Sequence, residues 1–373
     1  MKIIHIVNGN DVGGATTQVS ALIKAQKELH TVEVIAFGTG KIVELCGLLS
    51  VPVSVYPLTP LAAMRLIREI RTSSRGGAVI HAHGLKAMFF SALASVFHGK
   101  LSTVATIHSD YYHEYSGNTL KRMIAIPVIK WSIRRIRRFI TVSDRFIEVI
   151  YADGIGTDRC TYIPNGIDLS LVKPEKSRET FLNEYDIDTN HTICGIAARI
   201  HPVKGIDMLI DIAAKFKGQP VQFVIAGIGH PEYVNTLKER VRNYGMEEQV
   251  HFIGFVDTIY DFYQAIDINL LSSYSEGVSY SVMEGGALGR PVVCTAVSGM
   301  KTLIEDEVDG LMVPIGDKDA FAMRLKRLVE DINLRERLGQ ALKSKVNRQF
   351  SNKVMALAYD EVYRQLLRGQ HGN

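Results

Sequence analysis

The chain reads LSSYSEGVSYSVMEGGALG from Leu271 to Gly289, a stretch with two glutamates, Glu276 and Glu284, separated by seven residues. Glu276 follows an apolar run that is typical of a buried strand, and Gly277 allows a tight turn behind it. Glu284 falls among the small and apolar residues of a predicted helix, where a carboxylate is costly unless hydrogen-bond donors reach it. Sugar hydroxyls are suitable donors, and the helix N-terminus between the two acids offers backbone N–H groups to phosphate. Pairing of Glu284 with a neighbouring cation is the structural alternative.

On both sides of this stretch, short apolar β-branched runs alternate with longer amphipathic ones. Strands separated by helices indicate βαβ units and a mostly parallel sheet. The series occurs twice, which predicts two doubly wound α/β domains that face a central cleft. Ligands of such sheets bind beyond the carboxyl ends of the strands. We expect an N-terminal domain over 1–170, a polar linker over 171–190, a C-terminal domain over 191–351 and a final helix at about 352–370.

Length and composition agree with this organisation. At about 150 residues per domain, the 373-residue chain has room for two domains, and its 46% hydrophobic and 22% charged residues exclude a disordered or fibrous protein. The four cysteines are far apart and form no C-x-x-C pair, which excludes a disulfide scaffold and a cysteine zinc ribbon and suits a reducing cytoplasm. No apolar run reaches the ~18 residues of a membrane-spanning helix.

Positive charge is concentrated in one segment. Residues 1–170 carry a net charge of +7 and the remainder −3, and the segment from Thr119 to Arg138 holds seven cations and no acid. The basic character is therefore a local patch, and no aromatic stacking platform accompanies it, so we expect no nucleic-acid binding. The seven cations are Lys121, Arg122, Lys130, Arg134, Arg135, Arg137 and Arg138.

Several polar residues or glycines follow predicted strands. Gly13 and Gly14 lie between the first strand and the first helix, where the backbone can approach an anion, although a plain βα turn is an equal interpretation. His108 ends the run STVATI, and His81 and His83 end another run; each by itself is more often a core or surface histidine.

The first strand of the second domain leads to two cations. Arg199 follows the strand and Lys204 stands five residues later, so that together they could clamp a diphosphate. Two D-x-D triplets, at 186–188 and 317–319, are interpreted as turn and helix-cap residues rather than a metal site. We expect no metal and no cofactor.

The order of these segments resembles the family 4 retaining glycosyltransferases, which have the GT-B fold. The signature of the family is a pair of glutamates with seven residues between them, here Glu276 and Glu284, followed by GRPVV at 289–293. Where the family more often has Ala-Met-Ala after the second glutamate, this chain has Gly285-Gly286-Ala287. The resemblance also includes Gly13-Gly14, the segments PNGID at 164–168, IAGIG at 225–229 and FIGFV at 252–256, and Arg199 with Lys204-Gly205.

The resemblance implies a nucleotide-sugar donor and a role for each matched residue. Arg199 and Lys204 would bind the donor diphosphate and stabilise the leaving group, and Glu284 would bind the ribose hydroxyls. Glu276 would hold a hydroxyl of the donor sugar, and His108 would contact that sugar near the reacting centre. The remaining binding residues it implies are Gly13 and Gly14 at the phosphate or acceptor, Gly227, Phe255 and Val256 near the base, and Gly277, Val278, Ser279 and Tyr280 along the phosphate and sugar.

The function expected from the resemblance is metal-independent retaining transfer, with a UDP-sugar as donor and a glycan or lipid-linked acceptor, in the synthesis of cell-surface polysaccharide or glycolipid. Two alternatives stay open: a nucleotide-sugar epimerase or hydrolase, and a non-catalytic nucleotide-sugar-binding scaffold.

Apolar residues and Trp131, the single tryptophan, are interspersed with the basic residues of 119–138. A helix of this kind suits an anionic bilayer surface. We therefore expect a cytoplasmic protein with peripheral contact at the inner face of the membrane, the alternative being a helix with one buried side and a solvated basic side.

Overall fold

The computed structural model describes residues 1–11, 13–74, 76–96, 101–108 and 119–371, with the backbone alone for residues 119–122, 124, 144, 145, 370 and 371. The chain forms two compact units. The first consists of Met1–Gly166 and Asn352–Asn373, and the second of Ile167–Ser351. No helix among the described residues is both long enough and apolar enough to cross a membrane.

The first unit is built on a seven-stranded parallel sheet with the order β3-β2-β1-β4-β5-β6-β7. Its strands are β1 (Lys2–Asn8), β2 (Thr31–Phe37), β3 (Val53–Tyr56), β4 (Val79–His83), β5 (Ser102–Ile107), β6 (Arg138–Thr141) and β7 (Cys160–Tyr162). Its helices before the second unit begins are α1 (Gly14–Lys27), α2 (Lys41–Leu48), α3 (Pro60–Ser73), α4 (Gly84–Val96), α5 (Thr119–Arg135) and α6 (Asp144–Ala152).

The strand order reverses between β1 and β4, which is the switch point of a doubly wound sheet. Every residue of β4 and β5 is buried, because helices cover both faces of a central parallel strand. The carboxyl ends of β1, β4 and β5 therefore lead into the loops where we expect a ligand of this unit to bind.

The second unit contains a six-stranded parallel sheet with the order β10-β9-β8-β11-β12-β13. Its strands are β8 (Thr192–Ala197), β9 (Val221–Ala226), β10 (Val250–Gly254), β11 (Ile268–Leu271), β12 (Val292–Thr295) and β13 (Leu311–Val313). Its helices are α7 (Arg178–Asn183), α8 (Ile206–Ala213), α9 (Pro231–Tyr244), α10 (Ile259–Ala265), α11 (Tyr280–Ala287), α12 (Ser298–Leu303), α13 (Lys318–Glu330) and α14 (Ile332–Gln349).

The segment 171–190, expected to be a linker, is instead a packed part of the second unit. Phe181 and Leu182 of α7 are buried together with Ile187 in a cluster that includes Phe262. Arg178 also forms an ion pair with Asp267 at 3.0 Å. In the sequence these three apolar residues stand among polar ones near Pro174, which is why the segment resembles a linker. The boundary between the units falls at 166–167.

The last helix, α15 (Asn352–His371), belongs to the first unit. Its Tyr359 and Tyr363 are buried in a cluster with Ile3, Val79 and Val104 of the sheet. The helix therefore covers one face of β1, β4 and β5 and places two phenol hydroxyls in the interior.

The two D-x-D triplets have the structural roles expected of them. Asp317 caps α13 and accepts a hydrogen bond from the Ala320 N–H at 2.9 Å. Asp186 adopts a left-handed turn conformation, and Asp188 accepts from the Asn190 N–H at 2.9 Å.

Candidate functional site

The predicted donor residues of the second unit follow four neighbouring strands. Glu276 follows β11, Arg199 and Lys204 follow β8, Gly227 follows β9, and Phe255 with Val256 follows β10. Because β10, β9, β8 and β11 are consecutive in a parallel sheet, their carboxyl ends meet at one edge. This is the edge at which open α/β sheets bind ligands.

Gly205 holds the loop after β8 against the loop after β11. Its φ of 63° is left-handed, and a Cβ at this position would lie 2.2 Å from the carbonyl oxygen of Ser272. Ser272 Oγ donates a hydrogen bond to the carbonyl oxygen of Lys204 at 2.9 Å. Only glycine permits this approach, which brings Lys204 to Glu276.

Lys204 and Glu276 form an ion pair with each other. Lys204 Nζ donates to Glu276 Oε1, and Ser273 Oγ donates to the same oxygen at 3.0 Å. The two side chains keep 20% and 16% of their surface exposed. The ammonium and the carboxylate are thus held in place and partly desolvated, while both can still reach a ligand.

Gly227 brings the loops after β8, β9 and β10 together. A Cβ on Gly227 would lie 1.9 Å from the carbonyl oxygen of Ala198, and the Gly227 N–H donates to the Gly254 carbonyl at 2.6 Å. Arg199, next to Ala198, is exposed and lines a pocket of about 310 Å³ with Ile228 and Tyr233. Arg199 therefore lies on the β9 side of the edge and Lys204 on the β11 side.

Glu284 lies on α11 and is half-buried. The hydroxyl of Tyr263 lies beside its carboxyl group, although not at the geometry of a full hydrogen bond. Burial raises the pKa of Glu284 to about 7, an effect that Tyr263 partly offsets. Among the residues that the structure describes, the Tyr263 hydroxyl is the only donor at this carboxyl group. Hydroxyls of a bound ligand would supply further donors.

The N-cap residue of α11 does not cap the helix with its own side chain. Ser279 is the N-cap residue, and its Oγ pairs with Ser281 Oγ at 2.8 Å rather than with a backbone N–H. A Cβ on Gly277 would meet nothing within 4 Å, so the backbone there is open to a ligand. The positive end of the helix begins four residues after Glu276 along the chain.

Gly299 of α12 is a supporting residue that the sequence analysis missed. A Cβ on Gly299 would lie 2.0 Å from the carbonyl carbon of Gly277, and its N–H donates to the Glu276 carbonyl at 3.3 Å. Thr295 Oγ1 donates to the Ser273 carbonyl at 2.6 Å. Nothing in the local sequence pattern identifies these contacts, because their partners lie more than twenty residues away.

In the first unit, the residues singled out lie at the carboxyl ends of β1, β4 and β5. Gly13 has a left-handed φ of 93° and precedes α1, whose first residue is Gly14. His108 follows β5 and is half-buried. His81 and His83 are buried at the end of β4, so they are core residues.

The basic segment 119–138 packs one side of its helix against the first unit. Ile129, Ile133 and Ile136 lie in the core of the first unit. Trp131 is half-buried near Phe89, at 6.2 Å between ring centroids. These buried isoleucines fit the alternative of a helix with one buried side and a solvated basic side. Contact with a membrane stays a prediction.

The cations at the end of α5 line a pocket. Arg134, Arg135, Arg137 and Arg138 surround a pocket of about 350 Å³ together with Arg159. They precede or begin β6, so they lie at the amino edge of the sheet, opposite His108. Lys130 pairs with Asp153 at 3.0 Å, and the side chains of Lys121 and Arg122 lie outside the described residues.

Comparison with known proteins matches two family models. The model described as Glycosyltransferase Family 4 matches residues 12–171, and the model described as Glycosyl transferases group 1 matches residues 177–345. Together they extend over most of the chain.

Curated relatives and solved structures agree with these models. The putative glycosyltransferase EpsD of Bacillus subtilis is 26% identical over 328 residues, which is 83% of this chain and 82% of EpsD. An Escherichia coli relative named UDP-Gal:alpha-D-GlcNAc-diphosphoundecaprenol alpha-1,3-galactosyltransferase is 23% identical over 263 residues, which is 68% of this chain and 66% of the relative. The crystal structure of Anabaena HepE in complex with UDP has a TM-score of 0.84 at 21% identity and covers 98% of this chain and 100% of HepE. HepE was also solved in complex with UDP-glucose.

Proposed function

The chain belongs to the family 4, group 1 glycosyltransferases, and on that premise we propose that it moves a sugar from a UDP-sugar to a glycan or lipid-linked acceptor, with retention of anomeric configuration. The observation that carries the proposal is the Lys204–Glu276 pair in the loops at the carboxyl ends of β8 and β11, with the N-terminus of α11 four residues after Glu276. The HepE complexes with UDP and UDP-glucose and the diphosphoundecaprenol in the name of the Escherichia coli relative support the choice of donor and acceptor class.

The donor diphosphate binds to the positive charges at the carboxyl edge of β8 and β11. Lys204 and Arg199 contact its oxygens, and the N–H groups from Gly277 to Tyr280 complete the phosphate site. Glu284 accepts hydrogen bonds from the ribose hydroxyls, and Glu276 accepts one from the donor sugar. Gly227, Phe255 and Val256 lie next to the base.

The reaction breaks the bond between the anomeric carbon and a phosphate oxygen and forms a bond from the same carbon to an acceptor oxygen on the same face. The acceptor proton passes to a donor phosphate oxygen, so that no strong protein base is required. Arg199, Lys204 and the helix N-terminus stabilise the negative charge that develops on the leaving diphosphate. These groups are the basis for proposing a metal-independent reaction, and we expect a chelator to leave the rate unchanged.

Three residues of the first unit also belong to the proposed machinery. Gly13 and Gly14 offer backbone N–H groups at the start of α1 to a phosphate or to the acceptor. His108 contacts the donor sugar near the anomeric carbon.

The test is UDP release from UDP-sugars with and without Lys204→Ala. We expect UDP and one UDP-sugar to raise the unfolding temperature, and Lys204→Ala to lower the transfer rate on the order of 10²–10³-fold. Lys215→Ala is the matched control, because it breaks a lysine–aspartate pair with Asp319 elsewhere in the same unit. Equal rates in the two variants would contradict the site.

Two outcomes would support the other functions. Release of free sugar without any acceptor requirement indicates a hydrolase or epimerase. Binding of UDP-sugars with no turnover in the presence of isolated lipid-linked acceptors indicates a scaffold.

For its location we propose the inner face of the cytoplasmic membrane, with contact through Arg134, Arg135, Arg137 and Arg138. The contact is electrostatic, at about 1 kcal/mol per cation near an anionic surface. Sedimentation with phosphatidylglycerol vesicles, compared with phosphatidylcholine vesicles, tests it. Binding that survives replacement of the four arginines by glutamine would contradict the proposal.

A further inference from the structure

A chain of hydrogen bonds leads from α1 through the core of the first unit to His108. Gln26 Oε1 lies 2.8 Å from His5 Nε2, and His5 Nδ1 lies 2.9 Å from His83 Nε2. His83 Nδ1 lies 3.4 Å from Nε2 of His108. Gln26, His5 and His83 are buried, whereas His108 keeps some exposure at the carboxyl edge of β5. A substrate-contact residue is thus joined to three interior residues.

Each histidine ring in this series of hydrogen bonds carries a single N–H proton at neutral pH. Burial lowers the pKa of His5 and of His108 to about 4, and it lowers the pKa of His83 well below its ordinary value. A neutral imidazole donates from one nitrogen and accepts at the other. The proton position on one ring therefore determines the position on the next.

The orientation of the Gln26 amide determines which group donates and which accepts in each hydrogen bond of this series. The structure assigns its Nε2 as a donor to the Tyr363 hydroxyl at 3.3 Å, so its Oε1 faces His5 and accepts the Nε2 proton of that ring. His5 Nδ1 then accepts from His83 Nε2–H. By the same logic, His83 Nδ1 accepts from His108 Nε2–H.

We propose that His83 is a positioning residue that fixes the tautomer and the orientation of His108, so that His108 offers its Nδ1 as a hydrogen-bond acceptor. The ligand group that fits is a hydroxyl of the donor sugar or of the acceptor, since a hydroxyl can donate to this nitrogen. The inference rests on the proposed function in that it assumes a substrate at His108. It adds the direction of the hydrogen bond and the residues that set it.

The C-terminal helix takes part through Tyr363. Its hydroxyl accepts from Gln26 and donates to His81 Nδ1 at 2.7 Å, and His81 Nε2 donates to Thr106 Oγ1 at 2.7 Å. These bonds hold the Gln26 amide in the orientation that the chain requires. Tyr363 therefore supports the hydrogen bonds from Gln26 to His108 by fixing the orientation of the Gln26 amide.

A metal site is the competing interpretation of this cluster. His5, His81 and His83 each have a ligand atom within 4.8 Å of the others. However, both nitrogens of His81 already have hydroxyl partners, and the outer nitrogen of His5 has the Gln26 carbonyl. Hydrogen bonds thus account for these nitrogens, and an ion would have to displace them.

A matched pair of variants tests the proposal through activity. In His83→Asn the side-chain oxygen can take the place of Nδ1 and still accept from His108, whereas in His83→Gln the terminal group takes the place of Nε2 and leaves His108 without a partner. We expect His83→Gln to lower kcat about tenfold and His83→Asn to retain most of the rate. UDP affinity should not change in either variant, because none of the proposed UDP contacts involves His83 or His108. Equal loss of kcat in both variants would overturn the role of His83.

Nitrogen-15 NMR of the histidine-labelled full chain tests it without activity. We expect His108 and His83 to show protonated Nε2 and unprotonated Nδ1, and Gln26→Leu to convert both rings to a mixture of tautomers. A protonated Nδ1 on His108 in the native protein, or tautomers unchanged by Gln26→Leu, would overturn the proposal. The spectra need no substrate. They therefore test the tautomer of His108 separately from the proposed glycosyltransferase activity.

Discussion

The most consequential side chain of the second unit is Glu284, since its half-buried carboxyl group lies near the phenols of Tyr263 and Tyr260. Because the pKa of Glu284 is raised in the folded state, ionisation of this group lowers the stability of the folded protein. The contribution of this carboxyl to stability is fully present below its unfolded pKa of 4.5 and is lost as the pH rises through about 7. A ligand that donates hydrogen bonds to the carboxylate would relieve that penalty.

We predict that Glu284→Gln stabilises the free protein at pH 8 by at most about 3 kcal/mol and has little effect on stability near pH 4.5. The same variant should bind UDP about 10–100-fold more weakly, because it loses hydrogen bonds from the ribose to a charged acceptor. Urea denaturation at the two pH values and calorimetric titration with UDP measure the two effects. Loss of stability at both pH values would show that Glu284 is a structural residue.

The Lys204–Glu276 pair predicts a coupling between the two residues. Lys204→Met leaves the Glu276 carboxylate uncompensated next to the bound diphosphate, whereas the double variant Lys204→Met/Glu276→Gln removes that repulsion. We therefore expect the double variant to bind UDP on the order of tenfold more tightly than Lys204→Met alone. Additive losses in a double-mutant cycle would show that the two side chains act independently.

At the scale of elements, the residues that pack against α11 account for its two adjacent glycines, Gly285 and Gly286. A Cβ on Gly285 would lie 2.7 Å from Asn269 Nδ2, and a Cβ on Gly286 would lie 2.8 Å from Leu342 Cγ. Asn269 uses that Nδ2 to donate to the Ser281 carbonyl at 2.9 Å. The two glycines therefore compensate for a buried asparagine on β11 and a close contact with α14.

We predict that Gly285→Ala destabilises the second unit by about 1–3 kcal/mol despite the better helix propensity of alanine. Adding Asn269→Ala should restore part of the loss, since it removes the clashing amide. Gly47→Ala on α2 is the control, because its Cβ would meet nothing within 4 Å. Denaturation curves that show Gly285→Ala to be as stable as the native chain would contradict this packing argument.

At the scale of the whole molecule, the two units carry different pH sensitivities. The first unit buries His5, His81 and His83 in neutral form, with His108 at the end of the row. Their lowered pKa values mean that the unfolded chain binds more protons below about pH 6.5. The stability that depends on these neutral rings is therefore present above that pH and is lost as the pH falls.

We predict that the first unit loses stability between pH 6.5 and pH 4, by up to about 1.4 kcal/mol per pH unit for each histidine that stays neutral. Trp131 is the only tryptophan of the chain and lies in this unit, so its fluorescence reports the unfolding of that unit alone. Urea midpoints by tryptophan fluorescence over this pH range measure the effect. Since the ring of His81 packs against those of His5 and His83, His81→Gln should reduce the dependence of the urea midpoint on pH.

The strand pattern was predicted nearly completely from the sequence, because a buried parallel strand is a continuous apolar run that can be identified without its partners. The seven strands of the first sheet and the six of the second all lie where apolar β-branched runs occur. The helices α2, α4, α6, α7, α10, α12 and α14 were not predicted from the sequence. Two of them show why, since α7 has only six residues and α4 is apolar on most sides, so that neither has a clear amphipathic period. The family was identified from the spacing of Glu276 and Glu284 and from the glycines around them.

The amino-acid sequence by itself thus determined two parallel α/β sheets, the glycosyltransferase family and the loops from which candidate site residues come. Only the tertiary structure decided that Lys204 pairs with Glu276, that Gly285 accommodates Asn269, and that His5, His83 and His108 form one hydrogen-bonded row. The physical reason is distance along the chain. The spacing of apolar residues shows which side of a local segment is buried and which is exposed to water. A contact between residues that are 72 or 78 positions apart forms only when the strands that carry them lie side by side.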